Sequence, residues 1–206
     1  MKRCVIVGGA DILNYADIKR YVSSEDFYIF CDCGLRHSEG LGAEPDLIVG
    51  DFDSSENPNL DVETIVLPRE KDDTDTVFAV KEALKRGFEE FLILGVTGQR
   101  LDHTLGNVSI LKMLFDLGKP ALIIDDYCEM QVVGKEPRCV DDSYTYFSLI
   151  NIFGKAKGIN IKNAKYPLKN AEITCDYQYG VSNEVLKGET AEVFVENGCL
   201  LLIKVK

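Results

Sequence analysis

Six short, nearly continuous apolar runs constrain this chain more than any other feature. They are RCVIVGG (3–9), FYIFCD (27–32), PDLIVGD (45–51), ETIVLP (63–68), EFLILG (90–95) and ALIIDD (121–126). Each run is too short to span a bilayer, which takes roughly 20 residues. Alternating strands are apolar on one face only; continuous apolar runs suit parallel strands buried on both faces by helices. The segments between them supply helical periods: NYADIKRYVS (14–23), TDTVFAVKEALKRG (74–87) and LDHTLGNVSILKMLFDLG (101–118). In the second, Val77, Val80, Lys81 and Leu84 follow the helical repeat and Gly87 ends it; in the third, Gly118 and Pro120 end it. The expected fold is an N-terminal α/β domain with a parallel sheet, over residues 1–127.

The pattern changes after Tyr127. Residues 146–174 contain no convincing helix, only short alternating runs separated by turn signals, and AEVFVENGCLLLIKVK (191–206) reads as a hairpin turning at Asn197-Gly198. Residues 128–206 are therefore expected to form a smaller all-β sandwich domain.

Charge and cysteine content narrow the function. Lys and Arg total 23 against 34 Asp and Glu, a net charge of −11. Such a surface repels a nucleic-acid backbone, but not a nucleotide whose phosphates are screened by metal. The opening MKRCVIVGG reads as a first strand and not as a signal peptide, which predicts a cytoplasmic protein with no membrane partner. The 7 cysteines include no C-x-x-C pair, and the one-residue gap between Cys31 and Cys33 is poor metal spacing. They read as reduced, mostly apolar side chains.

The acids are not spread evenly. Asp32 ends one predicted strand, Asp51 and Asp53 end the next, and Asp72, Asp73 and Asp75 lie between a strand and a helix. Arg100, Asp102 and His103 open the following helix. Singly, each has an ordinary reading as a turn or helix-start residue. Together they fall at the carboxyl ends of strands in an open α/β sheet, where ligands bind. Like charges about 4 Å apart repel by roughly 4 kcal/mol at an effective dielectric near 20, so converging carboxylates call for a cation. Magnesium fits, since it takes hard oxygen donors and shares them with substrate phosphates. If the chain stays extended through 51–53, Asp51 and Asp53 point to one side and Phe52 to the core. Gly8, Gly9, Gly95 and Gly98 are candidates to offer backbone N–H groups to phosphate, with Arg100 as its cation. His103 is a candidate phosphate donor or proton shuttle. His37 receives no role.

These segments, CDCG, VGDFDS, KDDTDT, GVTGQRLDHTLGN and the late YGVSNE, resemble the thiamine pyrophosphokinase (thiamine diphosphokinase) family, in order and over nearly the whole chain. The resemblance implies magnesium-dependent transfer of diphosphate from ATP to the hydroxyl of thiamine, giving thiamine diphosphate and AMP. It implies a homodimer with the active site at the subunit interface. It places Asp51, Asp53 and Asp75 at the metal, with Asp32 beside them, and Asp51, Asp53, Asp72, Asp75 and Asp102 in catalysis. It places Asp32, Gly34, Thr97, Gly98, Arg100, Asp102 and His103 at ATP. Lys71, Asp72, Ser182 and Asn183 fall at thiamine, the last two from the partner subunit. Asp75 or Asp72 is the candidate base, and Asp73 matches a variable position. The chain has no Trp, where some family members set one beside thiamine; Tyr166, Tyr177 and Tyr179 are alternative stacking faces, none assigned. Two rival functions remain: a non-catalytic thiamine- or nucleotide-binding protein, and a magnesium-dependent phosphotransferase acting on another alcohol.

Overall fold

The computed structural model describes residues 2–52, 60–68, 70, 72–98 and 100–206. The chain divides into two compact units, Met1–Asp126 and Tyr127–Lys206.

In chain order the first unit contains β1 (Arg3–Val7), α1 (Tyr15–Ile18), β2 (Phe27–Cys31), α2 (Ser38–Leu41), β3 (Leu47–Gly50), β4 (Thr64–Val66), α3 (Asp75–Lys85), β5 (Glu90–Leu94), α4 (Leu101–Asp116) and β6 (Ala121–Ile124). The strands lie in the order β4-β3-β2-β1-β5-β6, and every neighbouring pair is parallel. From β1 the chain steps outward to β4, then returns to the other side of β1 for β5. The order therefore reverses between β1 and β5.

The continuous apolar runs are buried on both faces. Val5, Val7, Tyr28, Phe30, Leu92, Leu94 and Ile124 pack with Ile12, Ile18 and Leu41 from the α1 and α2 region. The intervening Cys4, Ile6, Ile29 and Ile93 are equally buried, on the face where α3 packs against β1, β2 and β3. The side chain of Thr74 caps α3 by accepting from the Val77 amide at 3.3 Å. The helix buries Thr76, Ala79, Val80 and Ala83, a stripe displaced from the expected Val77, Val80, Lys81 and Leu84. The expected helix over 14–23 is one turn of α1 followed by a 3₁₀ turn, Lys19–Tyr21. It ends early because Asp26 takes the Ser23 amide at 2.7 Å and the Arg3 guanidinium at 2.8 and 2.6 Å, drawing the chain into β2.

The second unit contains β7 (Cys128–Val133), β8 (Arg138–Asp141), β9 (Tyr146–Ile150), β10 (Ala156–Lys162), β11 (Leu168–Glu172), β12 (Thr190–Gly198) and β13 (Leu200–Val205). Antiparallel pairs join β7-β13-β9 and, in a four-stranded sheet, β11-β10-β12-β8. One core is built from both sheets, including Val133, Phe147, Leu149 and Leu202 with Ile159, Ile161, Val193 and Val195. This is the expected α/β domain followed by a β-sandwich. Among the described residues, no helix is long and apolar enough to cross a membrane.

The expected hairpin at Asn197-Gly198 is not formed. β12 pairs with β10 and β8, whereas β13 pairs with β7 and β9. The chain changes sheets after Gly198, whose φ is +87° and whose Cβ, if present, would lie 1.9 Å from the Lys155 carbonyl oxygen. Gly87 has a similar φ of +81° but open space around it. Gly87→Ala therefore carries only backbone strain, about 1 kcal/mol, and Gly198→Ala adds a backbone clash, for about 2 to 3 kcal/mol in all. Urea unfolding midpoints of the two variants check this; equal losses would show that the sheet crossing does not depend on the glycine.

Candidate active site

The reversal of strand order between β1 and β5 opens the sheet's carboxyl edge at one place. The two loops there are joined backbone to backbone. The Gly8 amide donates to Leu94 at 2.8 Å and the Ala10 amide to Gly95 at 2.8 Å. A Cβ on Gly8 would meet the Gly95 oxygen at 2.7 Å, and one on Gly95 would meet the Gly8 oxygen at 2.5 Å. Asp126, just beyond β6, accepts from the Leu13 and Asn14 amides at 2.9 and 2.8 Å and so ties down the far end of the β1 loop. Arg36 donates to the Gly9 carbonyl at 2.7 Å and to Asp11 at 2.6 Å.

His37 is buried in this framework. Its Nε2 donates to the Ala10 carbonyl at 2.9 Å, and its Nδ1 accepts from the Tyr15 hydroxyl at 2.7 Å. The carbonyl has no proton to give, which assigns that tautomer. Burial pushes the His37 pKa down, so it is a neutral strut for the loop.

On the β2 and β3 side, Asp32 immediately follows β2 with φ +45°. Gly50, the last residue of β3, passes so close that a Cβ there would lie 3.1 Å from the Asp32 α-carbon. Asp51 directly follows Gly50. Phe52 has φ +50°, so the chain does not run extended through Phe52. Left-handed conformations at Asp32 and Phe52 are the kind of local strain that clusters at functional sites. Asp53 and Lys71 lie outside the described residues.

Asp75 is the first residue of α3, where the helix dipole favours a carboxylate. The buried Cys31 lies between two of these acids: burial pushes its thiol up, and the charges of Asp75 and Asp32 push it further. Asp72 is exposed, and Asp73 spends both oxygens on Lys81 at 2.8 and 2.7 Å. The donor chemistry fits magnesium, being all carboxylate oxygen. Among the described residues no three His, Cys, Asp or Glu side chains converge at metal-holding distance.

On the β5 and β6 side, the Thr97 hydroxyl donates to Asp125 at 2.9 Å. The Gly98 amide donates to the Thr104 hydroxyl at 3.1 Å. Gly8 and Gly98, two expected phosphate donors, thus spend their N–H groups inside the protein. Arg100 grips Asp102 with two hydrogen bonds, 3.1 and 2.7 Å. That bond holds Asp102 well below the usual carboxylate range and raises Arg100. Arg100, Asp102 and His103 are all exposed at the start of α4, and Gly34 is buried beside β2.

In the second unit, Ser182 is exposed with φ +57°, and its amide donates to the Ser148 hydroxyl at 3.0 Å. Asn183 is buried. Its Oδ1 accepts from the Tyr166 and Glu184 amides at 3.0 and 2.9 Å, and its Nδ2 donates to the Tyr166 carbonyl at 2.8 Å. Its side chain ties the segment at Tyr166 to the segment at Glu184.

Sequence reasoning passed over Asp125, Asp126, Asp11, Arg36 and His37. The first two carry the same signal as Asp51, an acid following an apolar run at 121–124.

Parallel strands with helices on both faces, a reversal point and an acid-lined carboxyl edge define the first unit as a doubly wound α/β domain, followed by an antiparallel β domain. Residues 18–122 match the family described as thiamin pyrophosphokinase, catalytic domain, and residues 135–200 match thiamin pyrophosphokinase, vitamin B1 binding domain. The chain belongs to the thiamin pyrophosphokinase family. It is 29% identical over 212 residues to a thiamine pyrophosphokinase of Bacillus subtilis, covering 99% of both chains. Thiamin pyrophosphokinase 1 of Caenorhabditis elegans is 25% identical over 174 residues, covering 79% of this chain and 70% of that one. A thiamin pyrophosphokinase crystal structure from Geobacillus thermodenitrificans superposes with a TM-score of 0.82 at 28% identity, over 99% of this chain and 97% of that one.

The Arg100–Asp102 pair sets an expectation for pH. Asp102 keeps the carboxyl NMR shift of an ionised group at about pH 3.5, below the ordinary aspartate value of about 3.9. The folded-state pKa is depressed, so the pairing persists as pH falls and is lost only through Asp102's own lower value. A midpoint at or above about 3.9 would refute the pairing.

Proposed function

We propose that this chain is a thiamine diphosphokinase, transferring diphosphate from ATP to the hydroxyl of thiamine and releasing AMP. The observation that carries this reading is the match of both halves of the chain, in order, to the two domains of one enzyme family.

In this reading Asp51, Asp53 and Asp75 hold magnesium, with Asp32 beside them. The bound ion screens the triphosphate and offsets charge on the departing AMP. The thiamine hydroxyl oxygen attacks the β-phosphorus, the bond from that phosphorus to the bridging α-phosphate oxygen breaks, and the hydroxyl proton passes to a carboxylate. Asp75 and Asp72 are the candidates for that proton. Asp102 is a poor one, because Arg100 stabilises its ionised form. Arg100 and His103 reach the nucleotide phosphates, with Gly34 and Gly98 shaping the loops that approach ATP. Lys71, Asp72 and Ser182 contact thiamine, and Asn183 holds Ser182 in place. A homodimer that brings Ser182 and Asn183 to the other subunit's carboxylates belongs to the same proposal. An acidic pocket favours thiamine's cationic thiazolium ring.

The test is the purified full chain with ATP, magnesium and thiamine. The expected products are AMP and thiamine diphosphate in equal amounts, with turnover stopped by chelation of the metal. ADP with thiamine monophosphate would overturn diphosphate transfer, and binding without turnover would favour a non-catalytic protein. Asp51→Asn is expected to lower kcat by about 10²- to 10³-fold with an unchanged thermal unfolding curve. Near-normal activity in that variant would remove Asp51 from the metal site.

A further inference from the structure

The Thr97–Asp125 hydrogen bond determines what kind of atom can approach Thr97. A hydroxyl has one proton. Here that proton goes to Asp125 Oδ2, at 2.9 Å. The outward face of the Thr97 oxygen then presents only lone pairs, backed by a carboxylate. A phosphate oxygen also presents only lone pairs, so it finds no donor there. The family resemblance places Thr97 at ATP; the direction of its hydrogen bond favours a donor group of the nucleotide over a phosphate oxygen.

We infer that Thr97 and Asp125 form a donor-selecting subsite that accepts the sugar hydroxyls of the nucleotide. This rests on the ATP reading above. Thr97 follows β5 and Asp125 follows β6, adjacent parallel strands in register through Leu94 and Ile124. Asp32 follows β2, two strands from β5 and three from β6, on the other side of the reversal point. Two to three strand spacings are roughly 9 to 14 Å. A triphosphate laid across the strand ends with its terminal phosphates near Asp32 and Asp51 brings its sugar toward β5 and β6. Carboxylates accept ribose hydroxyls in other doubly wound folds by the same chemistry. The adenine amine is the other donor of the nucleotide. It is a single group at the far end of the base, whereas the sugar offers two adjacent hydroxyls to two adjacent acceptors.

Calorimetric binding to the full chain with magnesium, without thiamine, tests this apart from turnover. ATP is expected to bind about 10- to 100-fold more tightly than 2′-deoxy-ATP or 3′-deoxy-ATP, the range for a hydrogen bond involving a charged group. Inosine triphosphate, which lacks the exocyclic amine, is expected to bind like ATP. Thr97→Val is expected to abolish the preference for the hydroxylated sugar, and Thr97→Ser to retain it. Equal binding of ATP and both deoxy analogues by the unaltered protein overturns the subsite and leaves the ATP reading standing. Selective weakening with inosine triphosphate alone overturns it in favour of the base. No binding of ATP at all overturns both readings.

Discussion

The first unit depends on the contact between two loop backbones at the point where strand order reverses. Gly8 and Gly95 approach so closely that a side chain on either would strike the other's carbonyl oxygen. Their amides and carbonyls then join the β1 and β5 loops into one rigid edge. The other site segments are referred to this edge. Asp126 pins the end of the β1 loop from β6, His37 props it from below, and Arg36 closes it over Asp11. Preorganisation of this kind matters most for phosphoryl transfer, where positioning and charge placement carry the catalysis.

Acidic residues serve two purposes at this edge. Asp126, Asp73 and Asp26 are spent on backbone amides or cations and hold the scaffold. Asp32, Asp51 and Asp75 stand just after β2, just after β3 and at the start of α3, at the carboxyl edge of the sheet. Asp102 belongs with the first group in its geometry, since Arg100 engages both its oxygens. The net negative charge is thus partly structural.

Most of the first unit was legible because its signals are local. Continuous apolar runs and the Gly87 and Gly118 stops depend on residues within a few positions of one another. The ordered acids could be placed at strand ends for the same reason. What stayed hidden was settled by distant partners. Residues 51–53 suggested an extended pair, yet Phe52 is left-handed beyond a glycine pressed against Asp32. Asn197-Gly198 carries a hairpin signal, yet the flanking strands pair with different, distant strands and join different sheets. His37 carried no signal at all, because its partners, Tyr15 and Ala10, are more than twenty residues away.

The sequence by itself determined the alternation of strand and helix, the division into α/β and β parts, the set of acids at strand ends, and the motifs of one family. Those properties follow from periodicity and from the chemistry of short segments. Only the tertiary structure decided which polar groups are already engaged. The Gly8 and Gly98 amides, the Asn183 side chain and the Thr97 proton each have a partner inside the protein, the last one 28 residues away. A hydrogen bond's direction and availability are properties of a pair of groups, and folding chooses the pair.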